Sequence, residues 1–509
     1  MTSTAAHLIS GLPPAAITVE FVAAWLPPIM LGLVIGLYFM NNPLRHGPWF
    51  MIRRFINWFP LGMTYAFLYM GRYNIYVSKT SLGELMTKDE YGMIVAAGTA
   101  TYAFSFLVNG PLVDKIGGKL GIIIAAVGSS LANIGMGAIT YLVITGKMTS
   151  HIVLAYSLVY ALNMYFQSYG AVSIIKVKAY WFHVRERGLF GAIFGTLISF
   201  GVYFAFDWGE AIAEAAKAGP TKDAGWLHGL IQTVFALPDG SKDAVWALFF
   251  VPAAILIVWA ALDAWLLKDT PEQADFPHFD THDASSGEMH VELTTTDLLL
   301  KVFTSPLMLL FAAVELTSGV LRNGIMQWFK IYAKEVPQTG AEWINADWGL
   351  LLCVFGIVGG FTGGLVSDKF FQSRRGPPAA VLGAIMFCLT LVMAAAMHRS
   401  PLVVGLAALF IVAAVTGVHS LMSGTAAADF GGRKATATCS GIIDGCVYLG
   451  SSIQSVGIGY LSGQNWLWWP VFLMPFALTG SILAFRFWHE LPAATRKFNE
   501  ERKAAGHKV

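Results

Sequence analysis

The chain has 509 residues, of which 56% are hydrophobic and 13% charged, with a net charge of +2 and a mean hydropathy of +0.59. Soluble domains carry about 25% charged residues, so this balance excludes an ordinary soluble domain. It also offers no nucleic-acid surface, because no stretch interleaves basic residues with aromatics.

Apolar runs long enough to cross a hydrocarbon core recur along the whole length, which predicts an all-α polytopic membrane protein. At the N-terminus, "VEFVAAWLPPIMLGLVIGLYF" (19–39) precedes the basic "RHGPWFMIRR" and predicts an extra membrane helix. Glu20 and the pair Pro27–Pro28 argue instead for an interfacial or re-entrant segment, since proline interrupts the helical hydrogen-bond ladder. Six segments follow near 57–80, 91–113, 120–145, 151–178, 188–207 and 244–267. A polar stretch, "KDTPEQADFPHFDTHDASSGEMHVELTTTD", separates them from six more near 305–331, 347–368, 378–397, 401–428, 436–461 and 467–488. The expected organisation is an N-terminal extension (1–56), a six-helix bundle (57–267), a central linker (268–304), a second bundle (305–488) and a basic tail (489–509).

Charge bias in the short loops sets the orientation. Lys115/Lys119, Arg185/Arg187, Arg374/Arg375 and Arg433/Lys434 follow the second, fourth, eighth and tenth segments, and Arg496, Lys497, Arg502 and Lys503 lie in the tail. All fall on one side, so the linker and C-terminus are expected in the cytoplasm and the loop 208–243 outside. Cys353, Cys388, Cys439 and Cys446 lie in apolar segments without metal-ligand spacing, so no metal or cofactor is expected.

The two halves echo each other. "GPLVDKIGGK" (110–119) follows the second segment and "GLVSDKFFQSRRG" (364–376) the eighth, with Gly110, Asp114, Lys115 matched by Gly364, Asp368, Lys369. A loop repeated in two six-helix halves marks a parallel duplicated bundle. The first copy resembles the loop motif of the major facilitator superfamily through Gly110, Leu112, Asp114, Lys115, Gly117 and Lys119. That resemblance implies a major facilitator fold in which Gly110 permits close helix approach. Asp114 would cap or pair across helix ends in one conformation of a gate.

Arg72, in "YMGRYNIYV" (69–77), and Arg322, in "GVLRNGIMQWF" (319–329), lie deep in the first helix of each half. A charge at the bilayer centre costs about 2.5–3.5 kcal/mol on insertion scales, so such residues usually face a polar cavity. Two cations cannot neutralise each other. They require an anion, for which the arginine fork suits phosphate, or else local carboxylates and carbonyls.

On these residues the chain resembles the organophosphate:phosphate antiporters over about 55–490. Arg72–Tyr73–Asn74 is similar to that family's Arg–Lys–Asn, and Leu321–Arg322, Gly324 and Trp328 match its Leu–Arg–x–Gly–x3–Trp. "YFQSYGAVSIIKVKAYWFHVRERG" (165–188), "KDTPEQ" and "RKATATCSGIIDG" resemble further blocks in the correct order. The resemblance implies that Arg72 and Arg322 hold a phosphoryl group and directs attention to Gln167 and Tyr169. Phe106 and Ile198 stand where members carry a lysine and glycerol-phosphate carriers a histidine, which implies a less cationic, more apolar cavity.

Further polar groups sit at membrane depth. Glu315 lies seven residues before Arg322, about 10.5 Å along one helix face, and could carry a proton, meet a substrate hydroxyl or pair with another helix. Asp444 sits near glycines and could bind substrate, relay a proton or bond between helices. Lys176 could snorkel to headgroups or draw anion inward, and His419 could titrate or be a satisfied buried histidine. Tyr76, Tyr102, Tyr165, Asn323 and Trp328 join Gln167 and Tyr169 as candidates to line the cavity.

The resulting expectation is a non-enzymatic transporter, with no Walker loop, that exchanges a phosphate ester for inorganic phosphate by alternating access. It is expected to work as a monomer among membrane lipids, in a bacterial inner membrane. The alternatives are a proton-coupled organic-anion symporter, with Glu315, Asp444 or His419 as carriers, and a non-transporting membrane sensor of sugar phosphate.

Overall fold

The computed structural model describes residues 14–183, 186–217, 233–234, 243–279, 281, 300, 303–371, 374–422 and 427–490. Side chains are described for these except 14–24, 187–192, 368 and 427–440. Among the described residues regular structure is entirely helical.

The first helix, α1 (Pro14–Met40), runs unbroken through Pro27 and Pro28, so the pair does not end the segment. It packs beside the fifth membrane helix of the first half.

The first half comprises α2 (Pro48–Leu82), α3 (Lys88–Ile116), α4 (Gly118–Ile144), α5 (Ile152–Trp181), α6 (Arg187–Tyr203) and α8 (Ala247–Leu266). A π-turn at Phe204–Trp208 carries α6 into the short α7 (Gly209–Ala215). The remainder of the long loop to 243 lies almost wholly outside the described residues. The second half comprises α9 (Pro306–Met326), α10 (Phe329–Glu335), α11 (Glu342–Ala346), α12 (Trp348–Phe370), α13 (Gly376–Ala396), α14 (Pro401–His419), α15 (Ala427–Gln464) and α16 (Trp468–Arg486).

Local chemistry sets several starts. Thr87 and Glu90 form a reciprocal capping box at α3. Ser305 and Ser400 cap α9 and α14 ahead of a proline at the first turn, where its missing N–H costs nothing.

The halves meet chiefly along α3 against α15 and along α6 against α12. The end carrying Lys115, Lys119, Arg374 and Arg375 is termed the basic end below, and the other the far end. At the far end the halves are laced together. Lys88 pairs with Glu335 at 2.6 Å, and Lys330 with Glu210. Lys334 donates to the Thr80 carbonyl, and Asp207 accepts from the Gly349 and Leu350 amides at 2.8 and 2.9 Å. Ser452 donates to the Ala96 carbonyl at 3.0 Å, and a Cβ on Gly92 would lie 2.3 Å from the Ser455 carbonyl oxygen. The far end is therefore closed.

At the basic end the loop motif serves the first half internally. Asp114 pairs with Lys176 at 3.0 Å, so Lys176 already has a carboxylate partner at the basic end. Around Gly110 a Cβ would meet nothing within 4 Å, which corrects the expectation of close helix approach there. The close approach is at Gly118, where a Cβ would lie 2.7 Å from the Ser173 carbonyl oxygen. Gly117 takes φ +88° beside Asp269, whose carboxylate accepts from the Lys119 amide at 2.8 Å. The first linker residues are thus docked on the motif. In the second copy, Lys369 is exposed and the Asp368 side chain lies outside the described residues, as do Arg185, the side chains of Arg187, Arg433 and Lys434, and the tail from 491.

A buried node anchors the N-terminal extension. Arg54 and Glu186 form a two-pronged ion pair at 2.8 and 3.0 Å with both side chains fully buried. His46 Nε2 lies 3.2 Å from the same carboxylate, and Tyr38 of α1 accepts from Arg54 Nε at 3.0 Å. Burial alone would raise the Glu186 carboxyl, but His46 and Arg54 outweigh it and hold it down to about 2.

Candidate functional site

Between the halves, on the basic side of the far-end contacts, lies a cavity of about 200 Å³. Its wall draws on α2, α3, α5 and α6 from the first half and α9, α14 and α15 from the second. Among the described residues its charged or readily charged groups are Arg322, His419 and Asp444, joined by the phenols of Tyr65, Tyr69, Tyr102 and Tyr448. The rest of the wall is apolar, and Phe106 and Ile198 are part of it.

Arg322 reaches the wall from α9, and its Nε is buried without a hydrogen-bond partner. It forms no ion pair with the described residues. Arg72 sits one layer behind. It is fully buried, with Nε donating to Gln167 Oε1 at 2.8 Å, Nη2 to the Tyr102 hydroxyl at 3.1 Å and Nη1 to the Tyr448 hydroxyl. The Tyr69 and Tyr102 rings lie 4.6 Å from its guanidinium carbon, and Tyr448 5.5 Å. These quadrupole contacts help hold a buried cation. No carboxylate among the described residues pairs with either arginine.

This arrangement has a chemical consequence. A guanidinium only donates, so Tyr102 and Tyr448 must accept from it. Each hydroxyl hydrogen is then free to donate elsewhere. Both residues line the cavity with ring centroids 4.2 Å apart. The pair presents Arg72's positive field to the cavity as two polarised O–H donors beside the Arg322 cation, a set that suits an anion with several oxygens.

Gln167 is held for its task. Its amide donates to Ser129 Oγ at 3.0 Å and Asn163 Oδ1 at 3.3 Å, which leaves Oε1 turned to Arg72. Asn163 and Asn133 in turn bond the Gly71 carbonyl at 2.9 and 3.1 Å. This polar network fixes α2 at the arginine.

Of the sequence candidates for substrate contact, Arg322, Tyr102 and Asp444 therefore lie on the cavity wall. Arg72 and Gln167 act from behind it. Tyr76, Tyr165, Tyr169, Asn323 and Trp328 are not on this wall, and their polar atoms are engaged in other contacts. Tyr76 accepts from Gln327 at 2.8 Å, Tyr165 and Tyr169 face each other at 3.2 Å, and Asn323 donates to its own helix at Gly319. Trp328 Nε1 donates to Gln454 at 2.9 Å. Glu315 is fully buried behind His419, 3.1 Å from its Nδ1, with the second carboxylate oxygen unpartnered.

Tyr65, Tyr69 and Tyr448 were not foreseen. Helical spacing holds the signal: Tyr65 and Tyr69 precede Arg72 by seven and three residues, and Tyr448 follows Asp444 by four, so each shares a face with a residue already singled out.

Comparison with known proteins agrees with this architecture. The Major Facilitator Superfamily profile matches residues 61–455. The chain is 25% identical to a glycerol-3-phosphate transporter of Bacillus subtilis (strain 168) over 431 residues, which is 83% of this chain and 88% of that protein. It is 23% identical to the membrane sensor protein UhpC of Salmonella typhimurium, covering 77% and 81%, and 22% identical to a probable hexose phosphate transport protein of Chlamydia muridarum, covering 85% and 90%. Among solved structures, a D-xylose-proton symporter superposes with a TM-score of 0.61 at 14% identity, covering 86% of this chain and 98% of that one. A bacterial homolog of the human lysosomal transporter Spinster, in an inward-facing and unoccupied conformation, gives 0.60 at 13%, covering 90% and 99%.

Proposed function

The chain belongs to the Major Facilitator Superfamily, with transporters of phosphorylated solutes among its relatives, and we propose that it exchanges a phosphorylated organic anion for inorganic phosphate. The observation that carries this reading is the pairing of Arg322 on the cavity wall with Arg72 behind the Tyr102–Tyr448 hydroxyls. The phosphoryl group sits between them. Its oxygens accept from Arg322 directly and from the two phenols, and Arg72 supplies the second charge.

The same geometry supports obligatory exchange. Arg72 belongs to one half and Tyr448 to the other, so the hydroxyl bridge is made or broken as the halves rock. An empty site leaves buried cations uncompensated, which opposes rocking; a bound anion removes that cost, and differential binding drives the change. In this reading the basic end faces the cytoplasm of a bacterial inner membrane and the closed far end faces outward. The structure is then the inward-facing state, and one chain suffices because both halves of the site come from it.

The test is uptake into phosphate-loaded vesicles across a panel of phosphate esters, repeated with Arg72→Lys and Arg322→Lys. Exchange that survives in both variants removes bidentate recognition, and a protein that binds ester without moving it is a sensor.

A second reading rests on the Glu315–His419 pair. A carboxylate with one unpartnered oxygen, touching a cavity-lining imidazole, is a proton-carrying arrangement, and it allows a proton-coupled component of transport.

A further inference from the structure

We propose, resting on the phosphate-ester reading above, that the organic body of the cargo is apolar, a short alkyl or aryl group and not a polyol. The cavity is two-faced. The second half supplies Arg322, His419 and Asp444 near the Tyr102 and Tyr448 hydroxyls. Apart from Tyr102, the residues that α3, α5 and α6 supply to the wall are Phe106, Ala171, Ile174, Ile175, Phe194 and Ile198. None of these six side chains carries a hydrogen-bonding atom. Each sits within a helix, where backbone amides and carbonyls are already paired along the ladder. Nothing on this face can take the place of water around a hydroxyl.

With the phosphoryl group drawn to the cationic face, the remainder of the ester projects onto that apolar face. A polyol there loses hydration without compensation, whereas methylene or aryl carbon gains by leaving water. The Tyr102 and Tyr448 hydroxyls do not rescue a sugar, because they are committed to Arg72 on one side and to the anion on the other, and the phenols of Tyr65 and Tyr69 come from α2, outside the face formed by α3, α5 and α6. The volume of about 200 Å³ lies below the roughly 300–1,000 Å³ of drug-sized sites, so the body is small.

The experiment uses the full chain in liposomes loaded with inorganic phosphate. It measures how n-butyl phosphate, phenyl phosphate, glycerol 3-phosphate and glucose 6-phosphate each inhibit uptake of labelled phosphate. The apolar esters are expected to inhibit at concentrations about tenfold lower than the polyol esters. Phe106→Asn and Ile198→Ser should shrink that ratio at least threefold. The ratio is taken within each variant, so a general loss of protein cancels. Polyol esters that match or exceed the apolar ones, or variants that leave the ratio unchanged, overturn the inference while leaving phosphate exchange in place. If labelled phosphate does not exchange at all, the function proposed above fails instead. Thermal-shift titration of the purified chain with phenyl phosphate and glycerol 3-phosphate then decides the preference: tighter phenyl phosphate upholds it, and equal or weaker binding overturns it.

Discussion

Arg72 in the first half donates from Nη1 to the hydroxyl of Tyr448 in the second. The bond crosses the pseudo-symmetric interface at the level of the cavity, so the buried cation and the contact between halves share one donor. Tyr448→Phe removes the hydroxyl and keeps the ring. A hydrogen bond to a charged group is worth about 1.5–3 kcal/mol, so phosphate exchange measured in proteoliposomes should fall about tenfold to a hundredfold. The same loss leaves Arg72 Nη1 without its partner, so the melting temperature should also fall modestly, while the aromatic contact with Tyr102 keeps the ring in place.

Gln167 offers a sharper test of why Arg72 remains uncompensated. Its Oε1 stands 2.8 Å from Arg72 Nε, so Gln167→Glu places a carboxylate against the guanidinium at nearly unchanged volume. An internal ion pair then competes with cargo. The expected result is at least a tenfold weaker affinity for phosphate, read by competition binding, with thermal stability kept.

Closure of the far end depends on Gly92, where a Cβ would lie 2.3 Å from the Ser455 backbone oxygen. Helix backbones cannot yield as a flexible side chain can, so Gly92→Val should hold the far end open. On a cysteine-free background, Ser455→Cys should react with a membrane-impermeant maleimide at least tenfold faster in the Gly92→Val chain than without it. The neighbouring Lys88–Glu335 pair is partly exposed, so Glu335→Gln should change the same rate by no more than about threefold, as expected of a surface ion pair.

The Arg54–Glu186 node predicts both a mutational and a pH effect. Breaking a buried pair by removing one partner costs about 3–5 kcal/mol, so Glu186→Ala should lower the melting temperature clearly and loosen α1, which is tied to Arg54 through Tyr38. The folded carboxyl titrates at about 2, below its ordinary value of 4.5. Its contribution is therefore fully present above about pH 4.5 and is lost as pH falls towards 2. Stability measured between pH 5 and 8 should show no step from this group. A step in the wild type below pH 4.5 should be absent in Glu186→Ala.

Glu315→Gln distinguishes exchange from proton coupling. If the Glu315–His419 pair carries a proton, net uptake driven by a pH gradient disappears in the variant while phosphate self-exchange continues. If the pair is only structural, both rates fall together or neither changes.

The amino-acid sequence by itself determined the membrane class, the order and approximate bounds of the helices, the duplicated loop and the two deep arginines. Each follows from quantities local to a short segment: the length of an apolar run, the bias of basic loops, the cost of burying one charge. The resemblance to the antiporter family marked Phe106 and Ile198 as apolar departures, and both lie on the cavity wall. Tertiary structure alone decided that Arg72 stands behind two phenols while Arg322 meets the cavity, that Glu315 is turned to His419, and that Arg54 finds Glu186 across 132 positions of chain. The physical reason is that partner choice for a buried polar group is set by which helices pack against it. Residues of the same type and equally buried, such as Tyr76 and Tyr102, differ in the neighbour that the packing supplies.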